Sequence, residues 1–170
     1  MTPNNEKISV ADICKNIPDE IGKTITAEIL SLFQANGLTF KIKDDGSRYR
    51  IFCYIKKSKE SIILGTMDKR KGFIVQLRIT DRSVLGKLDN LSENIKNSIL
   101  NGPNCKESCF RKCETVYVFK HLNNEYRKCQ ALICNFIFNG LQKQDIVSLI
   151  SIIKNEIVYS QPLKSTSQKP

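Results

Sequence analysis

Only one of the 170 residues is a histidine, His121, and no stretch of the sequence matches a motif of established chemistry. The patterns of serine hydrolases, zinc peptidases, P-loop proteins and dinucleotide-binding folds are all missing. A lone histidine needs an oriented nucleophile and a partner before it can act as a general base. The sequence therefore offers no evident catalytic machinery, and we expect a binding or regulatory domain rather than an enzyme.

Long apolar runs are missing as well. No run approaches the roughly 20 apolar residues that cross a membrane. Residues 1–8 lack the basic region and the apolar region of a secretory signal. We therefore expect a cytoplasmic protein without a membrane partner, in which thiols are free or metal-bound rather than paired in disulfides.

Basic residues outnumber acidic ones, with 27 Lys and Arg against 17 Asp and Glu. The formal net charge is +10 and the sequence pI is about 9.3. A basic balance favours a nucleic acid, an acidic partner or another anion as the ligand. Acidic and basic residues are interspersed, however, and a lysine-rich surface is also typical of a protein that is merely well solvated.

Hydrophobic periodicity predicts a single α+β domain over residues 8–159, between a loose tail at 1–7 and a disordered tail at 160–170. An antiparallel sheet of about four strands, packed with helices, is followed by a C-terminal hairpin around Asn123-Asn124 that sets Cys129 opposite Val118. The predicted helices are 19–35, 81–90, 92–101 and 142–158. The predicted strands are 38–43, 47–57, 61–67, 73–80, 115–121 and 127–138.

Five of the seven cysteines lie between positions 105 and 134. Four thiolates can hold a zinc ion in tetrahedral geometry. On a helix, Cys105, Cys109 and Cys113 share one stripe, and the hairpin brings the later cysteines back beside them. Cys129 and Cys134 have opposite strand parity, and Cys134 shares parity with apolar neighbours. Cys53 also shares strand parity with apolar neighbours, so both Cys53 and Cys134 are expected to be buried and unligated. The predicted ligands of a structural zinc ion are therefore Cys105, Cys109, Cys113 and Cys129.

Other interpretations of the cysteines stay open. The CxxxCxxxC spacing is less diagnostic than the CxxC of zinc knuckles. Reduced thiols without metal are the simplest alternative. A reactive or redox-active cysteine would make the protein an enzyme, and that function requires a thiol of lowered pKa.

The second candidate site is an outward face of the predicted sheet that mixes basic groups with aromatic rings. Several modules stack single-stranded bases on such a face. The sequence favours the simpler interpretation, which is a solvated face or one covered by a helix, and nucleic-acid binding is the alternative. The residues of this possible nucleic-acid or anion face are Lys41, Lys43, Arg48, Arg50, Phe52, Tyr54, Lys56 and Arg78.

The C-terminal third resembles small α+β proteins of low-GC bacteria that form no defined family. The similar pieces are the Cys105/Cys109/Cys113 segment, the sequence from Tyr126 to Cys129, the apolar strand ending at Phe138 and the closing helix from Gln142. The resemblance implies a soluble α+β domain. It carries no catalytic or binding residues to this chain.

Overall fold

The computed structural model of the protein describes residues 10–15, 17, 19–44, 49–55, 62–66, 72–102, 116–129 and 136–160. The helices are α1 (Val10–Lys15), α2 (Glu20–Ala35), a 3-10 helix (Arg82–Asn90), α3 (Glu93–Leu100) and α4 (Asp145–Ser160). The strands are β1 (Thr39–Asp44), β2 (Tyr49–Tyr54), β3 (Ile62–Thr66), β4 (Phe73–Leu77), β5 (Val116–His121), β6 (Asn124–Cys129) and β7 (Phe136–Phe138).

These elements form the predicted α+β architecture. The main sheet has the antiparallel order β1-β2-β3-β4-β7, and β5 and β6 pair separately as a hairpin. The four sequential strands β1 to β4 form a meander because short connections favour antiparallel neighbours. The fifth strand, β7, arrives from beyond the hairpin and pairs with β4.

One apolar core lies between the inner face of the main sheet and the helices. Ile51 and Cys53 of β2 and Leu64 of β3 point inward and are fully buried. They share a single cluster of buried side chains with α2 and α4, to which α1, α3 and the 3-10 helix also contribute. Burial of apolar surface at about 25 cal/mol per Å² is the main force that holds this layer together.

Helix α2 illustrates how the sequence dictates local structure. Its N-cap, Asp19, accepts a hydrogen bond from the backbone N–H of Ile21 at 2.9 Å, which satisfies one of the unpaired donors of the first turn. Gly22 faces the sheet, and a Cβ there would lie 2.6 Å from the ring of Phe73. The glycine therefore permits a close approach between α2 and β4.

The prediction of one continuous strand over 127–138 is wrong. Strand β6 ends at Cys129, and Phe136 and Phe138 belong to β7 in the main sheet. These two phenylalanines are buried in the core, opposite Leu77 and Val75 of β4. The apolar core offers them more burial than an exposed two-stranded hairpin could, and this decides where they pair.

Three smaller differences concern helices. Helix α1 was not predicted from the sequence, and its Ile13 is buried in the core. The helix predicted at 81–90 is a 3-10 helix. Helix α4 includes Ser160, the first residue of the predicted C-terminal tail. The other residues of the two predicted tails, 1–7 and 161–170, lie outside the described residues.

Candidate anion-binding face

The side of the main sheet that points away from the core is called the outer face here. Strand pairing defines it, since residues directly opposite each other on neighbouring strands share a face. One row crosses the whole sheet through Lys41, Phe52, Ile63, Gln76 and Ile137. A second row runs from Lys43 through Arg50 and Gly65 to Ile74.

Most of the predicted basic and aromatic residues meet on this face. Lys41 and Lys43 are exposed on β1, and Arg50, Phe52 and Tyr54 are half-buried on β2. Arg78, just after β4, is also half-buried. Arg48 and Lys56, the two other residues of the predicted face, lie outside the described chain.

Each of the two described aromatic rings of the outer face, Phe52 and Tyr54, has a cation over it. The Nζ atom of Lys41 lies 5.8 Å from the centroid of the Tyr54 ring. The guanidinium carbon of Arg50 lies 5.6 Å from the centroid of the Phe52 ring. Both distances are within the range of cation–π attraction. Two ring and cation pairs therefore stand next to each other along β2.

The outer face is one-sided in charge. Among the described residues at its strand positions, none is acidic, whereas Lys41, Lys43 and Arg50 are basic. Its apolar members are Ile63, Ile74 and Ile137, and Ile74 is only 4% exposed. The basic charge therefore concentrates on the β1–β2 side, and the apolar character increases toward β4 and β7.

The predicted zinc site falls mostly outside the described chain. Cys105, Cys109, Cys113 and Cys134 are not described, and only the backbone of Cys129 is, at the end of β6. Within the described ranges, no three His, Cys, Asp or Glu side chains gather as metal ligands could.

The predicted hairpin register is wrong by two positions. Cys129 pairs with Val116 rather than with Val118, because the loop consists of Leu122 and Asn123. This register sets Phe119 opposite Tyr126, and the two rings stack with centroids 5.4 Å apart. In the predicted register Phe119 would have faced a lysine, so the aromatic pair favours the observed alignment.

Lys128 is the polar residue that sequence analysis missed. It is fully buried, and its ammonium group donates to the carbonyl oxygens of Leu100 at 2.6 Å and Gly102 at 2.9 Å. These carbonyls end α3, where the helix dipole favours a cation. Burial lowers the pKa of Lys128 to about 8. In the sequence, only its shared strand parity with Tyr126 could have indicated that Lys128 points to the inward side of the hairpin.

His121 is the last residue of β5, and its side chain is largely buried. Its side chain is 11% exposed, and its Nε2 atom lies 3.9 Å from a carboxylate oxygen of Asp89. The hairpin turns this side toward the 3-10 helix, which explains the burial.

Two carboxylates of α4 are buried and hydrogen-bonded. Glu156 accepts from the backbone N–H of Thr80 at 2.6 Å, the hydroxyl of Thr80 at 2.5 Å and the N–H of Asp81 at 2.7 Å. Burial nevertheless raises the pKa of Glu156, because the loss of hydration outweighs these bonds. Glu156 therefore fastens α4 to the turn that follows β4.

Asp145 joins the starts of α3 and α4. It accepts from the hydroxyl of Ser92 at 2.6 Å, the amide of Asn94 at 2.9 Å and the backbone N–H of Gln142 at 2.8 Å. Burial opposes ionisation of Asp145, but the three bonds outweigh it and hold the pKa below its ordinary value. Both buried carboxylates thus serve the packing of α4.

The two cysteines whose side chains are described are poor nucleophiles. Cys53 is fully buried, as its parity predicted, and burial raises the pKa of its thiol to about 12. Burial likewise raises the pKa of Cys14. A reactive cysteine needs a lowered pKa, so neither thiol supports the enzyme alternative.

Comparison with protein-family models, with curated proteins and with solved structures finds no match for this chain. Among the helices of the described residues, none combines the length and the apolar character that a membrane span requires.

Proposed function

We propose that this protein is a non-catalytic binding domain whose ligand is a polyanion held on the outer face. The observation that carries the proposal is the pairing of β1 with β2. It sets the exposed Lys41 opposite Phe52 and the exposed Lys43 opposite Arg50. The described helices contribute to the core on the opposite side of the sheet.

The exposed side chains of Lys41 and Lys43 lie on the same face of β1 and repel each other, and no acidic residue occupies the described strand positions of the outer face. A bound anion would relieve that repulsion and would release its own counterions, which favours binding at low salt. The formal net charge of +10 adds long-range attraction for such a ligand.

The test measures the binding of inorganic polyphosphate by calorimetry at several salt concentrations. We expect measurable binding at low ionic strength and a steep loss of affinity as salt rises. The Lys41→Ala/Lys43→Ala variant should bind more weakly and with a shallower salt dependence. The matched control is Lys143→Ala/Lys154→Ala, which removes the same charge from the exposed surface at α4. Equal loss in both variants would show that only net charge matters and would contradict a site on the outer face.

A structural zinc ion bound by Cys105, Cys109, Cys113 and Cys129 is a second component of the proposal. The support for this zinc site comes from the contacts of Gly102 and Val116, the two residues that flank segment 103–115. Lys128 binds the carbonyl of Gly102 before the segment, and Val116 after the segment pairs with Cys129.

Both ends of the segment therefore lie beside the last two residues of β6. Cys105 and Cys113 are each three residues from an anchored end, within about 11 Å of extended chain. Such a reach is compatible with four thiolates meeting at Cys129. Zinc there would stabilise the domain rather than take part in a reaction.

Metal analysis of the purified protein tests the zinc component. We expect about one zinc ion per chain, with Cys109→Ser lowering both the metal content and the thermal stability. Cys14→Ser is the control, since Cys14 lies outside the proposed ligand set. Protein without metal, or unchanged melting after EDTA treatment, would contradict the zinc site and leave the polyanion proposal intact.

A further inference from the structure

We infer that the polyanion is a single-stranded nucleic acid, with two consecutive bases stacked on Phe52 and Tyr54. This inference rests on the proposed function and adds the identity of the ligand. The two aromatic side chains are half-buried neighbours on one face of β2, so each ring is fixed by its surroundings yet partly open. Stacking on such rings is how single-stranded bases are commonly held.

The ring and cation pairs match the parts of a nucleotide. Tyr54 has the Lys41 ammonium 5.8 Å from its centroid, and Phe52 has the Arg50 guanidinium at 5.6 Å. A nucleotide presents a flat base and, one sugar away, a charged phosphate. Each pair therefore offers an aromatic surface and a cation to one nucleotide, and the two pairs together serve two nucleotides.

The spacing of the rings distinguishes a single strand from a duplex. Residues two apart on a strand are separated by about 6.7 Å. Stacked bases in a duplex follow one another at about 3.4 Å. Phe52 and Tyr54 are thus too far apart for two bases that remain stacked on each other. Consecutive bases must separate to reach one ring each, and only an unpaired strand exposes its base faces in this way.

The charge on the two sides of β2 sets the orientation of the strand. On the β1 side, the outer face carries the exposed Lys41 and Lys43. On the β3 side, it carries Ile63 opposite Phe52 and Gly65 opposite Arg50. The sugar-phosphate backbone should therefore follow the basic side chains of β1 and Arg50 of β2, with the bases on Phe52 and Tyr54.

The experiment compares an oligothymidine with an abasic oligomer of equal length by fluorescence anisotropy. We expect the oligothymidine to bind at least about 5-fold more tightly, because each stacked base adds affinity. Tyr54→Leu and Phe52→Leu should each weaken oligothymidine binding by about 5- to 150-fold and leave abasic binding unchanged. Tyr54→Phe should retain the affinity. Tyr159→Leu, an exposed tyrosine of α4, is the matched control.

A second measurement needs no variant and therefore stays informative if the substitutions destabilise the protein. Ultraviolet crosslinking of the wild-type protein to a bromouracil-containing strand should attach the base to Phe52 or Tyr54. Crosslinks elsewhere, equal affinity for the abasic strand, or equal affinity for a duplex would each overturn the inference. Those results would leave polyphosphate binding, and with it the proposed function, standing. Loss of polyphosphate binding as well would remove both.

Discussion

The two faces of the main sheet are built from the same strands but obey different constraints. Inward positions of β2 hold Ile51 and Cys53, both fully buried, whereas outward positions hold Arg50, Phe52 and Tyr54, all half-buried. Packing against the helices accounts for the inner residues. Under the proposed function, the basic and aromatic residues of the outer face serve to bind a ligand.

The largest contrast is expected from two phenylalanine substitutions. Phe33 of α2 is fully buried in the core, and Phe33→Ala should lower the free energy of unfolding by about 3–5 kcal/mol. Phe52→Ala on the outer face should lower it by less than about 1.5 kcal/mol, since half-buried rings lose less apolar contact. Urea denaturation measures both values. Similar losses would mean that the outer face is packed like a core.

Two lysines give the next contrast. Lys128→Met removes the donor for the carbonyls of Leu100 and Gly102, and it should lower the free energy of unfolding by about 1–3 kcal/mol. Lys41→Met should change stability by no more than about 0.5 kcal/mol and weaken polyphosphate binding. The same two assays on both variants separate the roles. A loss of stability in Lys41→Met together with weakened polyphosphate binding in Lys128→Met would contradict this division of roles.

The buried Glu156 predicts a pH dependence on the inner side. Its raised pKa means that the folded protein keeps the proton at pH values where the unfolded chain has released it. The stability of the wild type, relative to Glu156→Gln, should therefore fall as the pH rises above 4.5, the ordinary value. The slope cannot exceed about 1.4 kcal/mol per pH unit for one proton. Urea titrations between about pH 4 and pH 7 measure it, and a rising difference would contradict the raised pKa.

The smallest expected effect lies at the hairpin tip, away from both faces. Leu122 is 84% exposed and has a φ of 53°, which L-residues other than Asn and Asp seldom adopt. Leu122→Gly should raise the free energy of unfolding by up to about 1 kcal/mol, because glycine takes this conformation without a steric penalty. Thermal melting is the measurement. A destabilised variant would indicate that the leucine side chain has a packing role.

Local sequence patterns predicted much of the fold correctly. The wrong predictions concern features that depend on contacts between elements far apart in the sequence. Strand parity predicted the inward Cys53 and the shared outward face of Arg50, Phe52 and Tyr54, since alternation is a property of each strand alone. The burial of Lys128 depends on the end of α3, which the hairpin sequence does not encode. The pairing of Phe119 with Tyr126 favours the observed hairpin register. Strand β7 forms where the core can bury Phe136.

Lysine footprinting tests the central claim most directly. Polyphosphate is added to the wild-type protein, and the acetylation rate of each exposed lysine is followed by mass spectrometry. We expect Lys41 and Lys43 to be protected, while Lys143 and Lys154 near and on α4 react at their unbound rates, because the ligand covers only the outer face. Uniform protection of all four lysines, or protection confined to the α4 pair, would contradict the assignment of the outer face as the binding surface.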